Sequence, residues 1–286
     1  MMNIVHPFLF YFPLKIVLVD DDTNFLEVTK TNLTAFETHS FESSNQALLK
    51  IDPIEIKLKD FIQQQVSEEF HLNYESIEDF IEVCQDKHGI IIADFDMSTK
   101  KNNIDGISLL SNFQTTNIIR VLLTNVYTVD KAVEALNREV ISYYLAKDKI
   151  ESIYQVVNNL HIKFFYSMTK DILNMLEKNS LEFITDKDYI EIFNNIISLH
   201  QISKYRILNS YGAYYLENYK ERFILTIFSK DDLVDITKEV SVANKSNILS
   251  GKQIPSYFSD NLDNSCKLID AKNHGKYYYA IEKYEN

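Results

Sequence analysis

"GIIIADFDMSTKKNNIDGISLL", residues 89–110, decides how this chain is read. Ile90-Ile91-Ile92-Ala93 run straight into Asp94, and a second acid, Asp96, follows two positions on. A continuous β-branched run is the pattern of a strand buried on both faces. Loops favour Asp on their own account, so an isolated Asp-x-Asp says little. The meaning of Asp94 depends on what stands at the ends of the neighbouring strands.

Working outward, the first half alternates. "KIVLV" (15–19) is an apolar run that stops at Asp20-Asp21-Asp22, and 23–36 carries apolar residues at helical spacing with Thr23 as its expected N-cap. A short strand in "THSFES" and a helix from "SNQALLKI" follow. Beyond Asp94 come a helix at 106–113, a strand at 118–124, an amphipathic helix at 128–139 and a strand at 140–147. This alternation predicts a doubly wound parallel α/β sheet covered by helices on both faces. Residues 52–88, polar and acidic, read as a helical insertion ahead of the Asp94 strand.

In an open parallel sheet, functional groups gather beyond the C-terminal strand ends. Four strand ends here bear such groups: Asp20 and Asp21, Asp94, Thr124, and Lys147. Carboxylates brought together need a cation, and carboxylate with water favours Mg²⁺. A Lys and a hydroxyl beside them can take the oxygens of a phosphoryl group.

On these residues the first 150 or so positions resemble the receiver (CheY-like, flavodoxin-like) domain of two-component response regulators. Thr124 lies 30 residues after Asp94 and Lys147 a further 23, close to the family spacing. The resemblance implies a five-stranded fold with Asp94 as phosphoacceptor and Thr124 and Lys147 binding the phosphoryl oxygens. It also implies Mg²⁺ held by Asp21 and Asp94, by Asp20 through water and by the backbone carbonyl of Asp96, with Tyr144 and Thr124 as the switch pair. A histidine kinase or phosphotransfer protein would be the donor, in a phosphorelay. The chain departs from the family at Ser98, where Pro is usual, at Asn125, where a small residue is usual, and in a Met97–Gly106 loop about four residues longer. Two further readings fit the same residues. "IIADFD", "LLTN" and a Lys also resemble haloacid dehalogenase-type phosphatases, and a receiver fold can serve as an adaptor without phosphorylation.

From Lys149 the pattern changes. Apolar residues at 150, 153, 157, 160, 164, 168, 172 and 175 predict one long amphipathic helix. A second helix, three strand-like runs at 204–229, a helical stretch at 230–250 and a final "KYYYAIEKY" predict a smaller α+β domain with an antiparallel sheet. This half resembles an α+β domain that follows receivers in some bacterial regulators and has no clear activity. The expected layout is therefore an N-terminal extension at 1–13, a receiver at 14–149, a connecting helix at 150–178 and an output domain at 179–286. The apolar stripe of the connecting helix must bury against that domain or a second copy, and phosphorylation-dependent dimerisation is the commoner outcome in the family.

Bulk composition narrows the partners. The chain has 286 residues, 45% hydrophobic, with 5 Gly and 4 Pro, so it can build packed cores and lacks long flexible linkers. Residues 1–159 carry a net charge of −11 and residues 160–286 a net of −1, neither of them a nucleic-acid-binding stripe. The output is expected to act on a protein or small ligand, with no specific DNA binding and no membrane. Cys84 and Cys266 are far apart, which fits a reducing, cytoplasmic setting. The seven histidines, His6, His39, His71, His88, His161, His200 and His274, show no metal-site spacing, and His161 is expected to pack on the long helix.

Overall fold

The computed structural model describes residues 7–56, 58–66, 72–97, 104–125, 129–176, 181–238, 242–257 and 267–284. Ser98, Cys266, His6 and His71 lie outside them. The first half contains β1 (Phe10–Tyr11), β2 (Lys15–Val19), α1 (Thr23–Asn32), β3 (Thr38–Phe41), α2 (Ser44–Lys50), α3 (Leu58–Gln65) and α4 (Tyr74–Cys84). It continues with β4 (His88–Asp94), α5 (Gly106–Ser111), β5 (Ile119–Thr124), α6 (Val129–Asn137) and β6 (Tyr143–Ala146). A short 3-10 stretch, Lys147–Ser152, leads into α7 (Ile153–Met175). The second half contains α8 (Lys187–Leu199), β7 (Lys204–Ile207), β8 (Tyr214–Glu217), β9 (Arg222–Ser229), α9 (Lys230–Ile236) and α10 (Val242–Leu249). It closes with β10 (Gln253–Pro255), β11 (Leu268–Asp270), β12 (Lys272–His274) and β13 (Tyr277–Lys283). Among the described residues no helix is long and apolar enough to cross a membrane.

The chain folds into two compact units and passes between them at 12/13, 64/65, 78/79 and 164/165. The unit formed by 13–64 and 79–164 holds a five-stranded parallel sheet in the order β3-β2-β4-β5-β6. In order along the chain these five strands are arranged 2-1-3-4-5, the flavodoxin-like winding. Every residue of β4 is buried, as a central strand with helices on both faces requires. On one face Val17, Val19, Ile91, Ala93 and Leu122 pack with Leu109 and Leu110 of α5 and Ala132 and Ala135 of α6. The sequence put the α1 cap one residue late. Asp22 is the N-cap, its carboxylate accepting the N–H groups of Asn24 and Phe25, because a carboxylate meets the helix dipole better than a hydroxyl.

The other unit is built on a six-stranded antiparallel sheet, β1-β7-β8-β9-β13-β12, with β10 and β11 as a separate pair. Its first strand comes from the N-terminal segment: Phe10 and Tyr11 pair with Arg206 and Tyr205. Leu9 N donates to Thr169 Oγ1, and the rings of Phe10 and Phe165 meet edge to face. One sheet face packs on α8, where Phe193 meets Tyr205 and Tyr214 and Tyr189 meets Tyr277. On the opposite face Phe228 and Ala280 pack with Leu233 and Ile236 of α9, Ile248 of α10 and Ile254 of β10. Ser229 and Asp232 form a reciprocal capping box that fixes the start of α9 where β9 ends.

Candidate functional site

Each strand of the parallel sheet delivers its terminal side chain to one edge. β2 ends before Asp20 and Asp21, β4 ends on Asp94, β5 ends on Thr124 and β6 ends before Lys147. Asp20 N donates to Phe41 O and Phe95 N donates to Leu123 O, so sheet pairing is carried past the strand ends into the site.

Asp20, Asp21 and Asp94 each offer a carboxylate oxygen, and these oxygens lie within 4.8 Å of one another. Asp20 and Asp94 are buried and Asp21 is half-buried. The Lys147 ammonium hydrogen-bonds Asp20 Oδ2 at 2.7 Å and lies 3.0 Å from Asp94 Oδ1. The second contact ties the same ammonium to the buried Asp94 carboxylate as an ion pair. Lys147 also stands over the Phe25 ring at 4.5 Å, a cation–π contact. Asp20 is fully engaged: Oδ1 accepts Asp22 N–H at 2.9 Å and Oδ2 accepts Lys147.

Thr124 is completely buried, and among the described residues its hydroxyl has no hydrogen-bond partner. Buried hydroxyls are ordinarily paired, so this one marks a place where a further oxygen fits. Asn125 follows it on the surface. Asp96 is exposed and its side chain is not one of the three clustered carboxylates; its backbone N–H bonds to the Asp94 carboxylate. Tyr144 is half-buried and packs on the core beneath α5 and α6. His161, by contrast, is buried away from this edge. Its Nε2 accepts Leu14 N–H at 3.1 Å and its Nδ1 bonds Val157 O at 3.0 Å.

Burial raises the Asp94 carboxyl to about 6, and the nearby Asp20 charge adds to the rise while Lys147 opposes it. Burial raises Asp20 as well, against the pull of Lys147. The Lys147 ammonium is held above its ordinary value: burial works against it, and the two carboxylates outweigh burial. Two acids and one ammonium leave the buried cluster short of positive charge, and Asp21 adds a third acid at its rim. A divalent cation is the natural complement, and an all-carboxylate oxygen set suits a hard ion such as Mg²⁺.

One residue escapes a reading based on functional side chains. A Cβ built on Gly106, the first residue of α5, would meet the Asp94 carbonyl oxygen at 2.1 Å. The backbone of α5 therefore presses directly on the strand end that carries Asp94, and Gly106 N donates to Phe95 O. The Gly in "NNIDG" was the available signal, following a long polar loop and preceding a helix.

The response regulator LqsR of Legionella pneumophila matches 98% of this chain and 91% of its own at a TM-score of 0.70 and 21% identity. The fold is that of a response-regulator receiver with an α+β unit. Shorter matches include an adenylate cyclase from Rhodopirellula baltica (57% of this chain, 98% of that one, TM-score 0.38, 21% identity) and the receiver domain of the Francisella response regulator 1452 (52% and 98%, TM-score 0.34, 20% identity). At those scores they add nothing to the fold assignment. No protein-family profile and no curated protein matches the sequence.

Proposed function

We propose that this chain is a cytoplasmic response regulator that accepts a phosphoryl group on Asp94 from a histidine kinase or phosphotransfer protein. The observation that carries the reading is the convergence on Asp94: two further carboxylates, the Lys147 ammonium and an unpartnered, buried Thr124 hydroxyl. An Asp94 oxygen would attack phosphorus, the P–N bond of a donor phosphohistidine would break, and the imidazole would leave with the electron pair and take up a proton. Such transfer needs positioning and charge stabilisation more than covalent help. Asp21 and Asp94, with the Asp96 carbonyl, are the groups proposed to hold Mg²⁺. The two hydrogen bonds that already engage Asp20 suit the indirect role the resemblance gives it. Bound there, the ion would neutralise charge on the phosphoryl oxygens. Lys147 would meet one of those oxygens, and the Thr124 hydroxyl another.

Output through residues 179–286 is proposed to be protein- or ligand-directed, since neither half of the chain carries net positive charge. The test is acetyl phosphate with Mg²⁺ on the full chain. Labelling should be confined to Asp94, vanish in Asp94→Asn and weaken in Asp21→Ala. Labelling that survives in Asp94→Asn would sink the assignment, and rapid turnover of a general phosphatase substrate would favour the dehalogenase-like alternative. Wild-type protein that takes neither label nor beryllofluoride would be an adaptor.

A further inference from the structure

A second site lies in the antiparallel unit. A cavity of about 230 Å³ opens on the sheet face covered by α9, with Thr226 and Phe228 of β9 among its lining residues and Tyr211 and Tyr257 on its walls. Its size is below the roughly 300–1,000 Å³ that holds drug-sized ligands, so an occupant is a fragment-sized molecule.

The strand that lines it reads "RFILTIFS", and Thr226 is the one polar residue between Phe223 and Phe228. Thr226 is only 3% exposed, and its hydroxyl has no partner among the described residues. A Val would fill the same shape without stranding a polar group, and unpaired buried hydroxyls call for an explanation. Across the ladder Thr226 pairs with Ala280. Ala280 packs into the core beside α9 and α10, while the short Thr226 side chain lines the cavity next to the larger Phe228.

Several other polar groups on the wall are already engaged. Asn209 Oδ1 accepts the N–H groups of Tyr211 and Ala213. Ser256 Oγ donates to Glu282 Oε1 at 2.7 Å, and Tyr257 N donates to Glu282 Oε2. Among the described residues the lining contains no Lys, Arg or His, and its one charged residue is Asp235, an acid paired with Lys238 at 2.5 Å. Arg206, whose charge acts on Tyr257, is held by Glu78 at 2.6 Å. An anionic group entering here would meet acid and aromatic faces, and the cations beside them, Lys238 and Arg206, are already paired with acids. Tyr211 and Tyr257 are 49% and 39% exposed, flat amphipathic walls able to stack on a ring.

We propose that this cavity binds a fragment-sized aromatic molecule that is neutral or carries an amine, with the Thr226 hydroxyl hydrogen-bonding it and Tyr211 stacking on its ring. The site is independent of Asp94 chemistry.

The test uses the full chain and three probes on one scaffold: 3-methylindole, tryptamine and indole-3-propionate, followed by saturation-transfer NMR and calorimetry. The neutral and amine probes should bind and the carboxylate probe should bind at least tenfold more weakly. Thr226→Val and Tyr211→Ala should each weaken binding at least fivefold, with circular dichroism unchanged. Thr226→Val is isosteric and Tyr211 is half-exposed, so neither change threatens folding. Absence of binding to millimolar concentration, equal or tighter binding of the carboxylate, or affinity unmoved by either variant would overturn the proposal.

Discussion

Lys147 Nζ hydrogen-bonds Asp20 Oδ2 at 2.7 Å across 127 residues of sequence, and with the same ammonium 3.0 Å from Asp94 it is the only cation holding two buried acids apart among the described residues. Removing one partner from a buried ion pair is costly because the remaining charge is left uncompensated. Lys147→Met should therefore destabilise the chain by roughly 2–4 kcal/mol at pH 7.5 in a chelating buffer. At pH 5 the loss should shrink, because Asp94, already raised to about 6, is then mostly protonated. Urea midpoints at the two pH values decide it; an equal loss at both would show that Lys147 acts through packing.

Thr124 allows folding to be tested apart from the proposed phosphoryl binding. Its hydroxyl has no partner among the described residues, so Thr124→Val should leave the melting temperature unchanged or slightly raised. The same variant should bind beryllofluoride with Mg²⁺ about tenfold more weakly, the value of one lost hydrogen bond to a charged group. A large fall in melting temperature would mean that the hydroxyl has a structural partner after all.

Gly106→Ala should disturb Asp94 without touching a charged group. Its Cβ would press on a backbone oxygen, which cannot swing aside as a side chain does. Overpacking of this kind costs about 1–3 kcal/mol. Acetyl phosphate labelling of Asp94 should slow together with the loss of stability, whereas Ile107→Ala, on the next residue of α5, should lower stability with little effect on labelling rate. Similar labelling rates for both variants would detach α5 from the site.

His161 gives the parallel-sheet unit an acid limit. Burial lowers its folded pKa to about 4, against about 6.5 for an unfolded histidine. A lowered folded pKa means that the unfolded chain takes up the proton first. The contribution of neutral His161 is thus complete above about pH 6.5 and is lost as pH falls toward 4, at up to about 1.4 kcal/mol per pH unit. Between pH 7 and pH 4.5 the wild type should lose about 2–3 kcal/mol through this group. His161→Gln should start less stable at pH 7 and show a flatter profile in chemical denaturation; parallel profiles would rule the mechanism out.

Most of the parallel sheet was legible because its signals are local. Ile90–Ala93 could only be a buried strand, and the acids, hydroxyl and ammonium at the strand ends reveal themselves by position. A hydroxyl before an apolar run points to Thr23 as the α1 cap; the choice of Asp22 depends on backbone angles at one residue. Gly106 was missed for another reason. Its importance lies in a missing side chain against a backbone oxygen twelve positions earlier, and no periodicity encodes that. In the antiparallel unit the meander of β7, β8 and β9 was visible, while the pocket above Thr226 needed the Ala280 register as well as the odd Thr in "RFILTIFS".

The pairing of Phe10 and Tyr11 with β7 makes the order of synthesis matter. Tyr11 of β1 leaves the ribosome 194 residues before its partner, Tyr205, and a ladder closed over such a span is slow to form. Until then both strands are unprotected edges able to recruit a neighbouring molecule. A fragment cut at the start of the second half keeps β7 and discards its cover for good. Anyone isolating the antiparallel unit should carry residues 7–14 along, by fusion or by adding the peptide in trans, and should expect the shorter fragment to clump.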